Sequence, residues 1–131
     1  MTKAIRQKIY DKFDGRCAYT GKPLDDGWQV DHMISKEIYI YRELSGNVNH
    51  IDNLMPTLQI VNHYKRAKDL EGFRNYMLNF HKRLAKLPKR TLVQSSERRK
   101  KYMLEIADAF DITPDKPFNG KFYFEKYITN D

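Results

Sequence analysis

Three polar clusters in the first half of the sequence contain residue types that hydrolytic chemistry uses. They are Asp31-His32, Asn53 and Asn62-His63. Asp31 and Asn62 offer oxygen donors, which suit a hard divalent cation such as Mg²⁺ or Mn²⁺. His32 offers an imidazole, which accepts a proton near neutral pH. Because a base beside a metal can activate water against a phosphodiester bond, these clusters indicate phosphodiester hydrolysis.

The same residues also have ordinary structural interpretations, which the spacing alone leaves open. A single histidine is more often structural than catalytic, and Asn53 and Asn62 are residue types that also serve in turns and at helix ends. The elements predicted around them favour a shared site. Asp31-His32 ends a predicted strand at 29–34, Asn53 lies in an irregular stretch at 35–53, and Asn62 lies on a helix that Thr57 could cap and that runs to about Lys68.

The order and framing of these clusters resemble the HNH endonucleases, a family with the ββα-metal (His-Me finger) fold. The interval of nine residues from Asn53 to Asn62 and the lysine three residues later are usual in that family. The resemblance covers about residues 15–70. It is carried by Gly15-Arg16-Cys17-Ala18-Tyr19-Thr20-Gly21, Val30-Asp31-His32-Met33-Ile34, Asn53-Leu54 and Asn62-His63-Tyr64-Lys65.

The resemblance implies a role for each matching residue. His32 would be the general base, and Asp31 and Asn62 would hold one divalent metal, Mg²⁺ or Mn²⁺. Asn53 would hold the long loop by hydrogen bonds and so keep the His32 ring oriented. Lys65 or Arg66 would contact phosphate. His63, which points about 100° away from Asn62 on a helix, is a minor candidate.

The sequence departs from the family at the structural zinc that many members carry between two C-x-x-C pairs. Here the first pair reads Cys17 and Thr20, and Leu58 and Val61 stand at the second. One thiol cannot form a tetrahedral four-cysteine site, so we expect no structural zinc. We expect apolar packing in its place, with Cys17 as a small buried hydrophobic residue.

Positive charge is concentrated in one stretch of the chain. The formal net charge is +7 over 131 residues, whereas residues 65–101 hold thirteen basic and three acidic side chains, a net charge of +10. Such a stretch attracts polyanions, so we expect DNA as the partner, with Arg98 and Arg99 as phosphate contacts and Lys36 as a weaker one. The alternative for Arg98–Lys101 is the solvent-facing side of a helix.

The hydrophobic pattern predicts an α+β fold. It comprises a ββα-metal core with an N-terminal helix at 3–14, and a helical C-terminal extension that ends in a short β segment at 121–128. The extension includes a helix from Asp69 that Pro88 ends, and another that Ser95 or Ser96 caps. We assign residues 1–70 to the nuclease core and 71–131 to a basic extension packed on it that is not an independent domain.

Other features of the sequence narrow the class of protein. A single cysteine excludes an internal disulfide, and the sequence has neither an apolar run of about 18 residues nor the apolar segment of a secretory signal. We therefore expect no membrane association and a cytoplasmic location; the family suggests a bacterial or phage-infected cell and a phage or mobile-element context.

The leading hypothesis is thus a metal-dependent DNA endonuclease. A non-catalytic DNA-binding or packaging accessory module that retains the HNH fold is the alternative. In a third interpretation, residues 69–131 are a protein-interaction appendage whose apolar stripe faces a partner rather than a core; the stripe comprises Tyr102, Met103, Ile106 and Phe110.

Overall fold

The computed structural model describes residues 1–127 and has an α+β fold, which confirms the predicted class. Its strands are β1 (Gln29–His32) and β2 (Leu54–Thr57), with a 3₁₀ turn at Ile51–Asn53 just before β2. Its helices are α1 (Lys3–Asp11), α2 (Lys36–Tyr41), α3 (Gln59–Lys65), α4 (Leu70–Leu78), α5 (Phe80–Ala85), α6 (Gln94–Phe110) and α7 (Tyr123–Lys126).

The two strands pair antiparallel in a register that pairs Asp31 with Met55 and His32 with Leu54. Because side chains alternate along a strand, Gln29 and Asp31 share one face of β1. Helix α3 packs against β1 and follows β2 directly, so a strand–loop–strand–helix order surrounds the predicted site residues. The predicted strand at 29–34 and the predicted helix after Thr57 are both present, each shorter than expected.

Several predicted boundaries in this region are wrong. Thr57 does not cap α3, because it is the last residue of β2 and its hydroxyl donates to the Gln29 carbonyl at 3.2 Å. The stretch at 35–53, predicted as irregular, contains α2 as well as the 3₁₀ turn. The Ser35 hydroxyl caps α2 by accepting from the Ile38 amide. The loop-forming residues begin only after this helix.

The chain divides into two compact units, the first being Met1–Phe73 with the residues from Lys121 onward. An aromatic cluster forms much of its core. Tyr19 makes edge contacts with Phe73 and Phe122, at centroid distances of 5.6 and 5.2 Å, and those two rings stack at 5.3 Å. The last described residues therefore belong with the start of the chain, contrary to the assignment of 71–131 to one extension.

The β segment predicted at 121–128 is wrong over its described part. Residues Tyr123–Lys126 form α7, and Ile128 lies outside the described residues. The amide of Phe124 donates to the Ala18 carbonyl at 2.8 Å, while the Glu125 carboxylate accepts from the Phe122 amide. The aromatic residues that suggested a strand instead supply the core cluster, with Phe122 completely buried.

The turn at the position of the family's first cysteine pair is closed by backbone bonds and a glycine. The Gly21 amide donates to the Cys17 carbonyl at 2.8 Å. Gly21 has φ +76°, and a Cβ there would lie 2.6 Å from the Tyr123 ring, so a larger residue would collide as well as being strained. Cys17 and Val61 are fully buried, as expected for apolar packing at these positions, whereas Leu58, the other residue expected to pack there, is only half-buried.

The second unit, Arg74–Gly120, is helical. The single helix predicted from Asp69 is two helices, because the chain breaks at Asn79 between α4 and α5. Helix α6 begins at Gln94, so Ser95 and Ser96 lie inside its first turn and do not cap it. Met103 and Ile106 are buried, and this half of the apolar stripe belongs to a core.

None of the helices in the described part of the chain is both long enough and apolar enough to cross a membrane.

Candidate active site

A buried ion pair lies at the centre of the predicted site. Asp31 on β1 is 5% exposed, and Lys65 at the end of α3 is fully buried. The Lys65 ammonium lies 3.2 Å from Asp31 Oδ2 and donates to the His32 carbonyl at 3.2 Å. The Tyr19 hydroxyl donates to the same Asp31 Oδ2 at 2.6 Å. Three separate chain segments thus meet at one carboxylate.

This environment acts on the Asp31 carboxylate in opposite directions. Burial raises the pKa of Asp31, while the Lys65 charge and the hydrogen bonds from Tyr19 and Lys65 lower it. Burial, together with the Asp31 charge, holds the pKa of the Tyr19 phenol well above its usual value, so Tyr19 acts as a donor. Lys65 is the full positive charge in contact with Asp31, and it stabilises the ionised carboxylate.

The burial of Lys65 contradicts the expectation that it contacts phosphate. A side chain with no exposed surface cannot reach a ligand outside the fold, and its ammonium already has Asp31 and a backbone carbonyl as partners. The resemblance implied only that Lys65 or Arg66 contacts phosphate. Spacing could not indicate that its partner is the neighbouring carboxylate.

Asn62 forms a second link between α3 and β1. Its Nδ2 donates to Gln29 Oε1 at 2.8 Å. Gln29 and Asp31 lie on the same face of β1, and Asn62 and Lys65 lie about one turn apart on α3. The Asn62–Gln29 and Lys65–Asp31 contacts are therefore neighbouring links between the same two elements. Within the described part of the chain, Asn62 is hydrogen-bonded to Gln29 rather than to Asp31, so the two predicted metal ligands lie on facing elements without direct contact.

His32 lies at the end of β1 and is only partly buried. Its Nε2 is 2.8 Å from Asn49 Oδ1. An amide oxygen only accepts hydrogen bonds, so this contact places the imidazole proton on Nε2 and leaves Nδ1 as the basic nitrogen. Sequence reasoning missed Asn49, because it stands in a loop with other asparagines and its pairing with His32 requires the folded loop.

Asn53 fastens both ends of the loop that carries Asn49. Its Oδ1 accepts from the Ile34 amide at 2.8 Å, and its Nδ2 donates to the carbonyls of Ile34 and Val48 at 3.0 and 2.8 Å. It is 8% exposed. Lys12 on α1 secures the adjoining chain by donating to the Ile51 and Leu54 carbonyls at 2.9 and 2.7 Å. These bonds are of the kind predicted for Asn53 as the loop-holding residue.

The remaining predicted residues are exposed. In the first unit they are Lys36 at the start of α2, His63 on α3, and Arg66, which ends α3 with φ +54°. In the second unit, Arg98 and Arg99 lie exposed on α6. Their surfaces are available to a phosphate backbone.

The predicted metal ligands have the donor types that a divalent cation prefers, but one of them is already paired with Lys65. Asp31 and Asn62 provide carboxylate and amide oxygens, which suit Mg²⁺ or Mn²⁺. Residues 1–127 hold no cluster of three or more His, Cys, Asp and Glu side chains able to bind a metal. The Asp31 charge is already balanced by Lys65, so a cation bound to Asp31 would take the position of the ammonium.

Comparison with known proteins finds no family model, no curated protein and no solved structure that matches this chain.

The ion pair makes a prediction for stability. Lys65→Met leaves the Asp31 carboxylate buried without its counter-charge, which should lower the free energy of unfolding by about 3–5 kcal/mol. The double variant Asp31→Asn with Lys65→Met should recover most of that loss. Urea denaturation near neutral pH measures both, with the exposed Lys82→Met as control. A loss of less than about 1 kcal/mol in the single variant would contradict the pairing.

The same variant has a predictable pH dependence. Burial then raises the folded-state pKa of Asp31 without opposition from Lys65, so the folded state binds a proton more tightly than the unfolded state. Stability of Lys65→Met should therefore be greatest below the unfolded pKa, near 3.9, and fall as pH rises through the higher folded pKa. The midpoint of urea denaturation, measured from below pH 3.9 to neutral pH, gives this dependence. A midpoint of the variant that rises with pH more than that of the wild type would contradict the predicted direction.

Asn53→Ala should release the loop while leaving the strands in place. The substitution removes three hydrogen bonds that join the loop ends, so we expect a loss of about 1–3 kcal/mol. Hydrogen exchange should accelerate most at the Ile34 amide, which donates to Asn53 Oδ1. Asn75→Ala, at an exposed position on α4, is the control. Unchanged exchange at Ile34 would show that Asn53 does not hold the loop.

Proposed function

We propose that this chain is a metal-dependent endonuclease that hydrolyses phosphodiester bonds in DNA, on an HNH-type ββα-metal core. The observation that carries the proposal is the His32 imidazole. It stands at the partly exposed end of β1, one residue from the buried Asp31, with Asn49 accepting from one ring nitrogen so that the other remains basic. The strand–loop–strand–helix order around it supports the resemblance.

In the proposed reaction, His32 Nδ1 takes a proton from the attacking water. Asn49 fixes the tautomer and the ring orientation through Nε2, and Asn53 keeps the loop that carries Asn49 closed. A positioned base of this kind contributes roughly 10²–10⁴ in rate. The loop therefore matters to catalysis through the position of one ring nitrogen.

Asp31 and Asn62 are the residues that would hold one Mg²⁺ or Mn²⁺. Such an ion would polarise the phosphate and stabilise the charge that develops on the leaving oxygen. The Lys65 charge favours the ionised form of Asp31 against the effect of burial, and the ionised form is the one that a metal ligand requires. Gln29 orients the Asn62 amide through the bond to Nδ2.

DNA would be held by exposed cations. Arg66 and Lys36 in the first unit, and Arg98 and Arg99 in the second, supply contacts that are independent of sequence. We place the activity in the cytoplasm of a bacterial or phage-infected cell, as the family resemblance implies.

One observation favours the alternative, a non-catalytic DNA-binding or packaging module that retains this fold. The Asp31 carboxylate is already neutralised by a fully buried ammonium, which is an arrangement that holds a fold together without a metal. In that case Asp31 and Lys65 would serve stability, and the exposed cations would serve binding.

Replacement of the base separates the two functions. His32→Ala should reduce cleavage of supercoiled plasmid by at least about 10²-fold while leaving DNA affinity nearly unchanged, because the imidazole is the proton acceptor and not a charge contact. His63→Ala, which removes an exposed histidine elsewhere in the first unit, should cleave nearly as well as wild type. Equal cleavage by His32→Ala and wild type would defeat the assignment of His32. Full binding without cleavage in the wild type, with metal present, would support the accessory module.

Removal of divalent metal tests the cofactor. EDTA should abolish cleavage, and Mg²⁺ or Mn²⁺ in excess should restore it, because Asp31 and Asn62 offer hard oxygen donors. Binding of a DNA duplex in EDTA should persist, since the phosphate contacts come from side-chain cations. Cleavage that continues at full rate in chelator would overturn the metal requirement.

A further inference from the structure

A cleft in the second unit gathers positive side chains from two helices. It lies between the end of α5 and the first turns of α6, and its volume is about 350 Å³. Ser96 and the apolar pair Leu87-Pro88 form the rest of its wall. Among the described residues no acidic side chain lines it, and the cations that do are Arg83, Lys86, Arg99 and Lys100.

Helical spacing explains why these cations converge. Ser96, Arg99 and Lys100 are three and four residues apart, so they share one face of α6. Arg98 and Lys101 flank Arg99 and Lys100 in sequence but lie outside the cleft wall. The sequence could not separate these neighbours, because the four residues from Arg98 to Lys101 form an unbroken basic run.

The cleft cations are not neutralised from within the described chain. No carboxylate in residues 1–127 forms an ion pair with any of the four. The Lys100 ammonium donates to the Lys89 carbonyl at 2.9 Å, which ties α6 to the connection after α5. Four positive charges around one small volume repel one another, and a bound anion would relieve that repulsion.

Arg83 is held in place before any ligand arrives. Its Nη2 donates to the Tyr76 carbonyl at 2.7 Å, and its guanidinium lies over the Tyr76 ring, 3.8 Å from the centroid. Its buried Nε has no hydrogen-bond partner among the described residues. A guanidinium fixed in this way loses little conformational entropy when it binds an oxyanion.

We propose that this cleft binds the phosphate groups of a nucleic acid backbone. Guanidinium and ammonium groups with a serine hydroxyl are the usual donors to phosphate oxygens. A polyanion fits better than an isolated phosphate, because residues 82–101 carry nine basic side chains and one acidic side chain, and five of the basic ones lie outside the cleft. The proposal rests on the proposed function only for the identity of the ligand as DNA.

The test compares two lysine pairs of equal charge on the same two chain segments. Lys86→Gln with Lys100→Gln removes two cleft cations, whereas Lys82→Gln with Lys101→Gln removes two exposed cations that do not line the cleft. Affinity of the full-length protein for a short fluorescent DNA duplex is measured by anisotropy in EDTA, over a series of salt concentrations. Because no cleavage takes place, failure of the nuclease proposal does not affect this measurement.

We expect the cleft pair to weaken binding by roughly tenfold or more and to reduce the slope of log affinity against log salt by about 1.8, since each lost phosphate contact contributes about 0.9. The control pair should change the slope by less than half as much. Equal losses of DNA affinity in the two double variants would overturn the proposal that the cleft binds phosphate, since the net positive charge alone would then explain binding. Competition by inorganic tripolyphosphate to the same degree in both double variants would also count against it. Circular dichroism checks that both fold.

Discussion

The contact on which the first unit depends is the one between Asp31 and Lys65. Both side chains are buried, and the Tyr19 hydroxyl donates to the same carboxylate. Removing one charge from such a pair leaves the other unpaired in a low-dielectric interior, which costs far more than the pair contributes when intact. The pair therefore fixes which turn of α3 faces β1, and Asn62 follows one turn earlier, bonded to Gln29.

This constraint also sets the chemistry available at the site. Burial raises the pKa of Asp31, and the Lys65 charge with the hydrogen bonds from Tyr19 and Lys65 opposes that effect. His32, the next residue, points to the other side of the strand, where it is partly exposed and bonded to Asn49. One dipeptide at a strand end thus holds a buried anion and an accessible base, and these are the two groups that the proposed reaction requires.

Residue type and spacing predicted the local elements better than their partners. The strand at Asp31 and the helix at Asn62 follow from short-range pattern, whereas the loop-holding role of Asn53 came from the family resemblance. The burial of Lys65 and the role of Asn49 depend on tertiary contacts that periodicity does not describe. The predicted strand after Lys121 failed because aromatic residues favour strands and buried cores alike, and the core at Tyr19 decided the outcome. The helix α2 was missed although its signal is local, the Ser35 hydroxyl that accepts from the Ile38 amide, because the turn-forming residues after it dominated the pattern of 35–53.

The structure places the basic residues of 65–101 in different environments, which their sequence positions did not show. The basic stretch at 65–101 contains a fully buried lysine, a cleft with four cations that no carboxylate among the described residues neutralises, and exposed residues outside that cleft. These groups have different tasks: the first supports the fold, and the others are available to a polyanion. The number of basic residues therefore overstates the surface charge, and the cleft is the place where four of the basic side chains converge.

The most direct test of the account is a crystal structure of the His32→Ala protein with DNA and Mn²⁺, with anomalous scattering used to locate the metal. The account predicts a manganese peak at about 2.0–2.3 Å from oxygens of both Asp31 and Asn62, with the Lys65 ammonium displaced from Asp31. At saturating Mn²⁺, an intact Asp31–Lys65 pair with no anomalous peak beside it would contradict the account and leave a binding module on this fold.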